Sequence, residues 1–577
     1  MKNLTRSMLF CLVALLVAGP AIGQVAEVMP YQPNPDKNTA DRVADMAATY
    51  QYVSSFAGAD KGGIYDVQIS VAELNKLAST VNDGGPLLAG VHGPVDFSYD
   101  PYAKQSFGTT SFSDGMQVWT GTFRSLGATG VRLQLKDLAL PKGAEMYAFD
   151  DFGQAYGPYT GFAKDFWTNT LKGDTLYLQV HLPLGLRGEA ASDKLFQVVQ
   201  LAHMGDNYEF GHNPDKAFCS WNDSCITNAE CASIPSAIQP LQDAVAYMIF
   251  PVGSQSFICT GGLLNDTSSS GTPYFLTANH CLSTTASATG LETYFQWTVG
   301  CGASCGSQFN PPGSVPVVNG ATLLATNSST DFTFLELNSA APSGSVFLGW
   351  TTSAVANSGG TNLFRVSHPA GSPQAYSEQS VNATAGTCGT LPRGNFIYSD
   401  ATLADTEGGS SGSPVVNSSN QVVGQLFGAC GATPSTTCDN DDRTVDGAFA
   451  VTYSSIESWL TGSGGGGGGG GGSCTGNNVW TGTASSSSSS LVTPNCSGGG
   501  SFTGELVCDT GAADLDLYLD KQSCSGWFGC SFSAVASSTS ANCDENVSTS
   551  SSSGTFRWRV THYSGPAEDF TLCTNQC

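Results

Sequence analysis

Thr406-Glu407-Gly408-Gly409-Ser410-Ser411-Gly412-Ser413-Pro414 is the stretch around which this chain is organised. It is short, rich in Gly and Ser, and runs into the apolar pattern Val415, Val416, Val422 and Val423. It therefore reads as a tight backbone loop that presents one hydroxyl at the edge of a strand. Two other stretches give that hydroxyl a meaning. Tyr274-Phe275-Leu276-Thr277-Ala278-Asn279-His280-Cys281 sets a histidine beside a cysteine at the end of an apolar run, and Thr330-Asp331-Phe332-Thr333-Phe334-Leu335-Glu336-Leu337 opens a strand with an aspartate. Nucleophile, base and orienting acid are all available, in the chain order His, Asp, Ser.

Ser411 is an ordinary alcohol unless a neighbour takes its proton, and His is the side chain whose pKa suits that task near neutral pH. Residues 213 to 462 hold two histidines. His368 precedes a proline in a loop and reads as a packing residue. His280 directly precedes Cys281, and Cys259 lies one strand earlier, so a Cys259–Cys281 bridge would pin the histidine loop to the neighbouring strand. The acid must be buried and hold the Nδ1 proton so that Nε2 faces the serine; Asp331, followed by apolar Phe332, Phe334 and Leu335, meets that need. Glycines flank the nucleophile and remove the side chains that would keep the amides of Gly409 and Ser411 from converging on an oxyanion.

The 577 residues allow two to four domains, each able to bury a core. Lys2 and Arg6 precede the apolar run Met8 to Ala18, and Ala21-Ile22-Gly23 offers a small-x-small cleavage site, so residues 1–23 read as a secretory signal peptide cut after Gly23. No later stretch approaches the roughly 20 apolar residues of a membrane span. Without the signal the cysteines fall from 19 to 18, an even number in an exported chain, ten of them between Cys219 and Cys438 and eight between Cys474 and Cys577. Disulfides within each region follow. The net charge of -25 weighs against nucleic acid or an anionic membrane as partner.

Basic residues are unevenly placed. Thirteen Lys and Arg lie between Lys37 and Lys194, against four (Lys216, Arg365, Arg393 and Arg443) between residues 213 and 462. A protease that cuts after basic residues would benefit from a cleavable leader and a resistant body; equally, Ser, Thr, Asn and Gly replace Lys on many secreted surfaces. Residues 24–216 read as a propeptide, with a helix near Ser70 to Leu77 and β-rich from about residue 97, where Val131, Leu133 and Leu135, then Leu176, Leu178, Val180 and Leu182 alternate with polar residues. A β-sandwich of about 100 residues fits that spacing. Lys216, three residues before Cys219, stands where a propeptide junction is expected.

Residues 217–462 show many short strands and suit one large or two small barrels. Gly464 to Gly472 within 463–473 is a flexible tether, and 474–577 reads as a small disulfide-stapled β-sandwich. No cofactor or metal is indicated: His92, His181 and His203 have no recurring ligand spacing, and Asp514 with Asp516 reads as a turn at a strand start.

The runs Cys259-Thr260-Gly261-Gly262-Leu263-Leu264, Tyr274 to Cys281, Asp331 to Asn338, Gly409-Ser410-Ser411-Gly412-Ser413-Pro414 and Gly424-Gln425-Leu426 together resemble the bacterial lysyl endopeptidases, a branch of the chymotrypsin-like serine proteases. The resemblance covers roughly residues 220 to 460. It implies an all-β double barrel with the active site between barrels, His280 as general base, Asp331 as orienter, Ser411 as nucleophile, and backbone near Leu426, Phe427 and Gly428 pairing with an extended substrate. It also implies bridges Cys225–Cys430 and Cys231 to Cys301 or Cys305, with Cys219, Cys388 and Cys438 left open. Trypsin-like enzymes carry an aspartate just before the nucleophile; here Ser410 stands there, so activation by a salt bridge to a new N-terminus is not expected.

For substrate choice, Asp405 lies six residues before Ser411, where trypsin-like enzymes keep the pocket acid, while the lysyl endopeptidases draw it from a later loop for which Asp441, Asp442 and Asp446 compete. A basic P1 residue follows, Lys or Arg undecided. The C-terminal module resembles the bacterial pre-peptidase C-terminal domains on Asp514-Leu515-Asp516-Leu517-Tyr518-Leu519 and Gly554 to Val560. The expectation is a secreted, monomeric serine endopeptidase made as a zymogen, with protein or peptide substrates and its own propeptide as partners. A non-catalytic adhesion or polymer-binding protein on a protease scaffold is the rival, and the intact triad argues against it. An esterase would need a Gly-x-Ser-x-Gly elbow, and Gly409-Ser410-Ser411-Gly412-Ser413 lacks the last glycine.

Overall fold

Alternating apolar runs become strands along most of the chain, and what positions the site is how these strands close. The computed structural model describes residues 24–30, 39–56, 63–78, 86–103, 107–113, 115–184, 194–205, 218–306, 311–430, 438, 443–461, 478–484, 489–493, 496–508, 514–524, 530–539, 545–564 and 568–575. Gly23, Lys216, Asp441, Asp442 and the glycine tract lie outside them.

Two six-stranded rings carry the site. In the first, Val245–Val252 pairs with Gln255–Leu263 and Glu292–Phe295; Gln255–Leu263 pairs with Tyr274–Ala278, which pairs with Phe332–Leu337, which pairs with Ala321–Asn327. Val317–Asn319 runs into Ala321–Asn327 through Gly320 and returns to Glu292–Phe295, closing the ring. Gly320 has φ 76°, and a Cβ there would fall 2.5 Å from Asn338 Nδ2, so the corner needs a glycine. Phe275, Phe295, Leu263 and Leu335 fill this barrel.

The second ring runs Gln421–Cys430, Pro414–Val416, Asn362–Ser367, Ala375–Val381, Phe396–Leu403, Arg443–Ala448 and back to Gln421–Cys430. Val366, Val415, Val423 and Ile397 are buried within it. The fold is thus the all-β double barrel the resemblance implies, with a short helix at Glu457–Thr461.

Before the barrels, two sheets enclose a second core built on Trp119, Phe123, Leu133, Leu135, Leu178 and Val180. The helix Val71–Ala78 matches the expected helix near Ser70 to Leu77, with Ser70 Oγ accepting the Glu73 amide at 3.2 Å. The helix Thr39–Phe56 carries no comparable signal and is held by packing, Tyr50 meeting Phe149 and Tyr52 meeting Tyr147.

This N-terminal region is not a separate body. Its strand Leu87–Tyr99 pairs with Phe196–Met204 on one edge and with Gln255–Leu263 of the first barrel on the other, so one sheet passes from the sandwich into the barrel. Val25–Ala26 adds to Gly349–Thr351 and Met29–Pro30 to Val346–Phe347, and a Cβ on Gly349 would lie 2.3 Å from Ala26 carbonyl oxygen. Strand edges need partners, and these were met from a part of the chain that sequence patterning set apart.

After the glycine tract in the sequence, seven strands among the described residues, between Asn478 and Thr574, wrap Phe502, Leu515, Leu517, Trp558 and Leu572. Asp520 pairs with Arg559 at 2.9 Å, and Tyr518 donates to Asp516 at 2.9 Å. No described helix is long and apolar enough to cross a membrane.

Candidate active site

Asp331 opens its strand in the left-handed region at φ 53°, a conformation that costs a non-glycine residue about 1–2 kcal/mol. Its backbone is held there from three sides. Gln425 Nε2 donates to the carbonyls of Thr330 and Asp331 at 2.7 and 3.2 Å, and the Asn279 amide donates to the Asp331 carbonyl at 2.9 Å. Gly447 packs so close that a Cβ would fall 1.8 Å from Thr330 carbonyl oxygen. So placed, the buried carboxylate grips His280 twice: Oδ1 accepts the backbone amide at 2.9 Å, and Oδ2 lies 2.6 Å from Nδ1. The imidazole is partly exposed, with the Phe427 ring edge-on at 5.7 Å between centroids.

The loop that carries Ser411 is shaped by glycine. Gly409 and Gly412 have φ 93° and 81°. A Cβ at Gly412 would meet Thr277 Oγ1 at 2.2 Å and the Thr260 carbonyl at 2.5 Å, so the loop lies directly on the first barrel. Around it the amides alternate. Ser410 donates to Glu407, Gly412 to Leu426 and Ser413 to Ser410 at 2.8–3.0 Å, while the amides of Gly409 and Ser411 donate no hydrogen bond among the described residues. Those two are the expected oxyanion donors. Ser411 is almost fully buried, and its Oγ is likewise unbonded among the described residues.

One dipeptide of the first barrel holds both halves. The Thr260 amide donates to the Ser411 carbonyl at 2.8 Å and Thr260 Oγ1 donates to the Gly409 carbonyl at 2.8 Å. Cys259, beside it, is bonded to Cys281, the neighbour of His280. That bridge also uses the two sulfurs that cluster with the His280 ring, so no thiolate metal set remains there. From behind, Ala370 donates to the Gly408 carbonyl at 2.7 Å. Glu407 takes the Asp223 amide at 2.5 Å and Asn222 Nδ2 at 2.9 Å, tying the start of the barrel region to the loop. Sequence reading did not single out Thr260, Glu407 or Gln425, although all three lie inside quoted runs: Thr260 next to Cys259, Glu407 in the Thr406–Pro414 stretch and Gln425 next to Leu426.

Leu426 bonds back across the loop, its amide to Ser413 at 3.0 Å, and Phe427 lies at a bulge between Leu426 and Gly428. Asp405 is half-buried, with Oδ1 accepting the Thr406 amide at 2.8 Å. Asp446 departs from the expectation that it lines a substrate pocket. It is fully buried, and Oδ1 meets Arg365 Nη2 at 2.5 Å, with Arg365 equally buried. Burial pushes its carboxyl up while Arg365 draws it down, and its charge is already matched inside the barrel. His368 is a packing residue: Nδ1 donates to the Ser372 carbonyl at 3.0 Å, the ring stacks on Trp297, and burial lowers its pKa to about 4.

The cysteines join as Cys219–Cys305, Cys225–Cys438, Cys231–Cys301, Cys259–Cys281 and Cys388–Cys430. The expected Cys225–Cys430 bridge is thereby corrected. The Cys388 amide donates to Tyr398 Oη and Arg393 ties the same loop to the Asn382 and Ala385 carbonyls, which brings Cys388 onto the Phe396, Tyr398 and Cys430 cluster.

Residues 220–444 match the family described as "Lysyl endopeptidase, C-terminal domain". The lysyl endopeptidase of Pseudomonas aeruginosa is 30% identical over 348 residues, covering 57% of this chain and 71% of that protein. The chain belongs to the lysyl endopeptidase family. It is a serine endopeptidase by that membership. A second relative, secreted RxLR effector protein 73 of Plasmopara viticola, is 31% identical over 198 residues, 34% of this chain and 46% of that protein. Among solved structures, the MamO protease domain of Magnetospirillum magneticum matches at a TM-score of 0.25 and 16% identity, over 37% of this chain and 96% of that one. Deg5 matches at 0.26 and 12%, over 39% and 92%. Superpositions this loose add nothing to the family assignment, which rests on sequence.

Proposed function

We propose that this family member is a secreted endopeptidase that cleaves after Lys or Arg through a His280, Asp331, Ser411 triad. The observation that carries the reading is the Asp331 carboxylate 2.6 Å from His280 Nδ1, on the same Cys259–Thr260 anchor that holds Ser411. Held so, His280 presents Nε2 as the base. Ser411 Oγ attacks the scissile carbonyl as Nε2 takes its proton, and the charge on the carbonyl oxygen falls to the Gly409 and Ser411 amides. His280 then returns the proton to the leaving amine, and water releases the acyl group by the reverse sequence.

For the P1 side chain, Asp405, Asp441 and Asp442 are the candidate counter-charges, Asp446 being paired with Arg365. Residues 24–216 form a propeptide, cut near Lys216 by the enzyme itself, the 463–473 tether carries a C-terminal module, and the enzyme acts as a monomer. The five bridges of the catalytic region fit an oxidising, extracellular setting.

Peptide amides that differ only at P1 test this reading. Turnover is expected for Lys or Arg and at least a hundredfold less for Leu, Glu and Ala, with no turnover in Ser411→Ala; equal rates for all P1 residues, or activity that survives Ser411→Ala, would overturn it. Sequencing of the mature N-terminus is expected to place the cut at Lys216, and unchanged processing in Ser411→Ala would remove the autocatalytic step.

A further inference from the structure

The support behind the expected oxyanion donors converges on one carboxylate. Glu407 is buried at the start of the Gly-Ser loop, with Oε1 accepting the Asp223 amide at 2.5 Å and Oε2 accepting Asn222 Nδ2 at 2.9 Å. Asn222 is fully buried, and the same Nδ2 donates to the Pro369 carbonyl at 3.0 Å. The stretch that carries both donors is closed at either end by a bridge, Cys219–Cys305 and Cys225–Cys438, so they stand on a fixed backbone. Ser410, at the position where trypsin-like enzymes carry an aspartate, is buried and neutral and accepts Ser367 Oγ at 3.0 Å. The acid of this loop sits earlier, at Glu407, and takes neutral N–H groups of the chain.

From Asn222 the support reaches the loop backbone through one turn. Pro369 opens it, and Ala370, fully buried, holds φ 51°, a left-handed conformation that a non-glycine residue keeps only when its surroundings impose it. So set, the Ala370 amide donates to the Gly408 carbonyl at 2.7 Å. A trans peptide is planar, and its carbonyl and N–H point opposite ways. Fixing the Gly408 carbonyl on Ala370 therefore turns the Gly409 N–H away from the turn, where it meets no acceptor among the described residues. The Glu407 carboxylate and the Gly408 carbonyl thus bind neighbouring parts of one frame, Asn222 with Pro369 and then Ala370.

We propose that Glu407 is a positioning residue: gripped by Asn222 and Asp223, it locks the Gly408–Gly409 peptide against the Pro369–Gly371 turn in the orientation that aims the Gly409 N–H at the oxyanion. This rests on the Ser411 nucleophile proposed above. Glu407→Gln keeps an acceptor for the Asp223 amide but sets an amide donor against Asn222 Nδ2, and Asn222→Ala removes the same bond from the other side.

The test is a fluorophosphonate probe on the full-length protein. The parent is expected to label at Ser411, and each variant to reach the same endpoint at least about tenfold more slowly, because a misaimed donor costs part of what a lost one does. The double variant is expected to be no slower than the slower single one. On peptide amides the loss should fall on kcat, with KM and the ratio of rates for P1-Lys and P1-Leu as in the parent. Unchanged labelling rates, or single losses that multiply in the double variant, would overturn the proposal. So would a lower endpoint at an unchanged rate, which marks unfolded protein, and a shift confined to the P1 ratio, which would put Glu407 in the substrate pocket. A parent that fails to label would overturn the Ser411 reading and the proposal with it, whereas a parent that labels beside unaffected variants would overturn the proposal alone.

Discussion

The two halves of the proposed catalytic cleft are held in place by different means. On the first barrel, His280 and Asp331 are fixed by a disulfide at the neighbouring residue and by a carboxylate that bonds to both backbone and ring. On the second, the Ser411 loop has no covalent anchor; it is fixed by backbone bonds from Thr260, Ala370 and Leu426, and by two glycines in the left-handed region. The acid–base half depends on particular side chains. The nucleophile half depends mainly on side chains being absent, since Gly412 has room for nothing larger.

The comparison can be broken from either side. Ser411→Ala removes the proposed nucleophile and is expected to lower kcat for a P1-Lys amide by about 10⁶, measured by initial rates with thermal melting unchanged. Asp331→Asn keeps the shape but lets the imidazole take the wrong tautomer, so a fall of about 10⁴ in kcat is expected, with KM nearly unchanged. Next in size is Asp446→Ala, which strands the buried Arg365 guanidinium. A loss of about 3–5 kcal/mol should appear in denaturant unfolding, while discrimination between P1-Lys and P1-Leu substrates stays as in the parent. A change confined to P1 preference would instead return Asp446 to the pocket.

Gly412→Ala tests the half built on absence. A methyl 2.2 Å from Thr277 Oγ1 on a positive φ must push the loop off Thr260, and kcat should drop by about 10²–10³, the size of losing one oxyanion donor. The smallest effect concerns pH. Burial holds His92, His181 and His368 at about 4, below their ordinary value of 6.5. The unfolded chain then binds more protons than the folded one between those values, so stability present above pH 6.5 is lost progressively as pH falls toward 4. Melting temperature measured across that range should decline, and replacing His368 with Phe or Gln should flatten its share of the slope.

Legibility followed the same division. The His280–Cys281 pair, the Asp331 strand start and the Gly-Ser loop are local patterns, each within a dozen residues, so they could be read directly. Alternation at Val131, Leu133 and Leu135 announced a β-sandwich layer, and all three are fully buried. What could not be read were pairings across long separations. Asp446 looked like a pocket acid because its partner, Arg365, is 81 residues away and reaches it only when Asn362–Ser367 and Arg443–Ala448 enter one ring. Cys430 took Cys388 instead of Cys225 because a loop folded back on Tyr398.

By itself the sequence determined the chemistry on offer: which groups can attack, take a proton and orient, in what order, and on strands rather than helices. Only the tertiary structure decided how buried charges were matched, which cysteines met, and that the N-terminal strand Leu87–Tyr99 completes the first barrel's sheet. The physical reason is range. Propensity, turn chemistry and patterning act over a few residues, whereas a strand edge, a buried carboxylate or a thiol is satisfied by whichever group the closed fold brings to it.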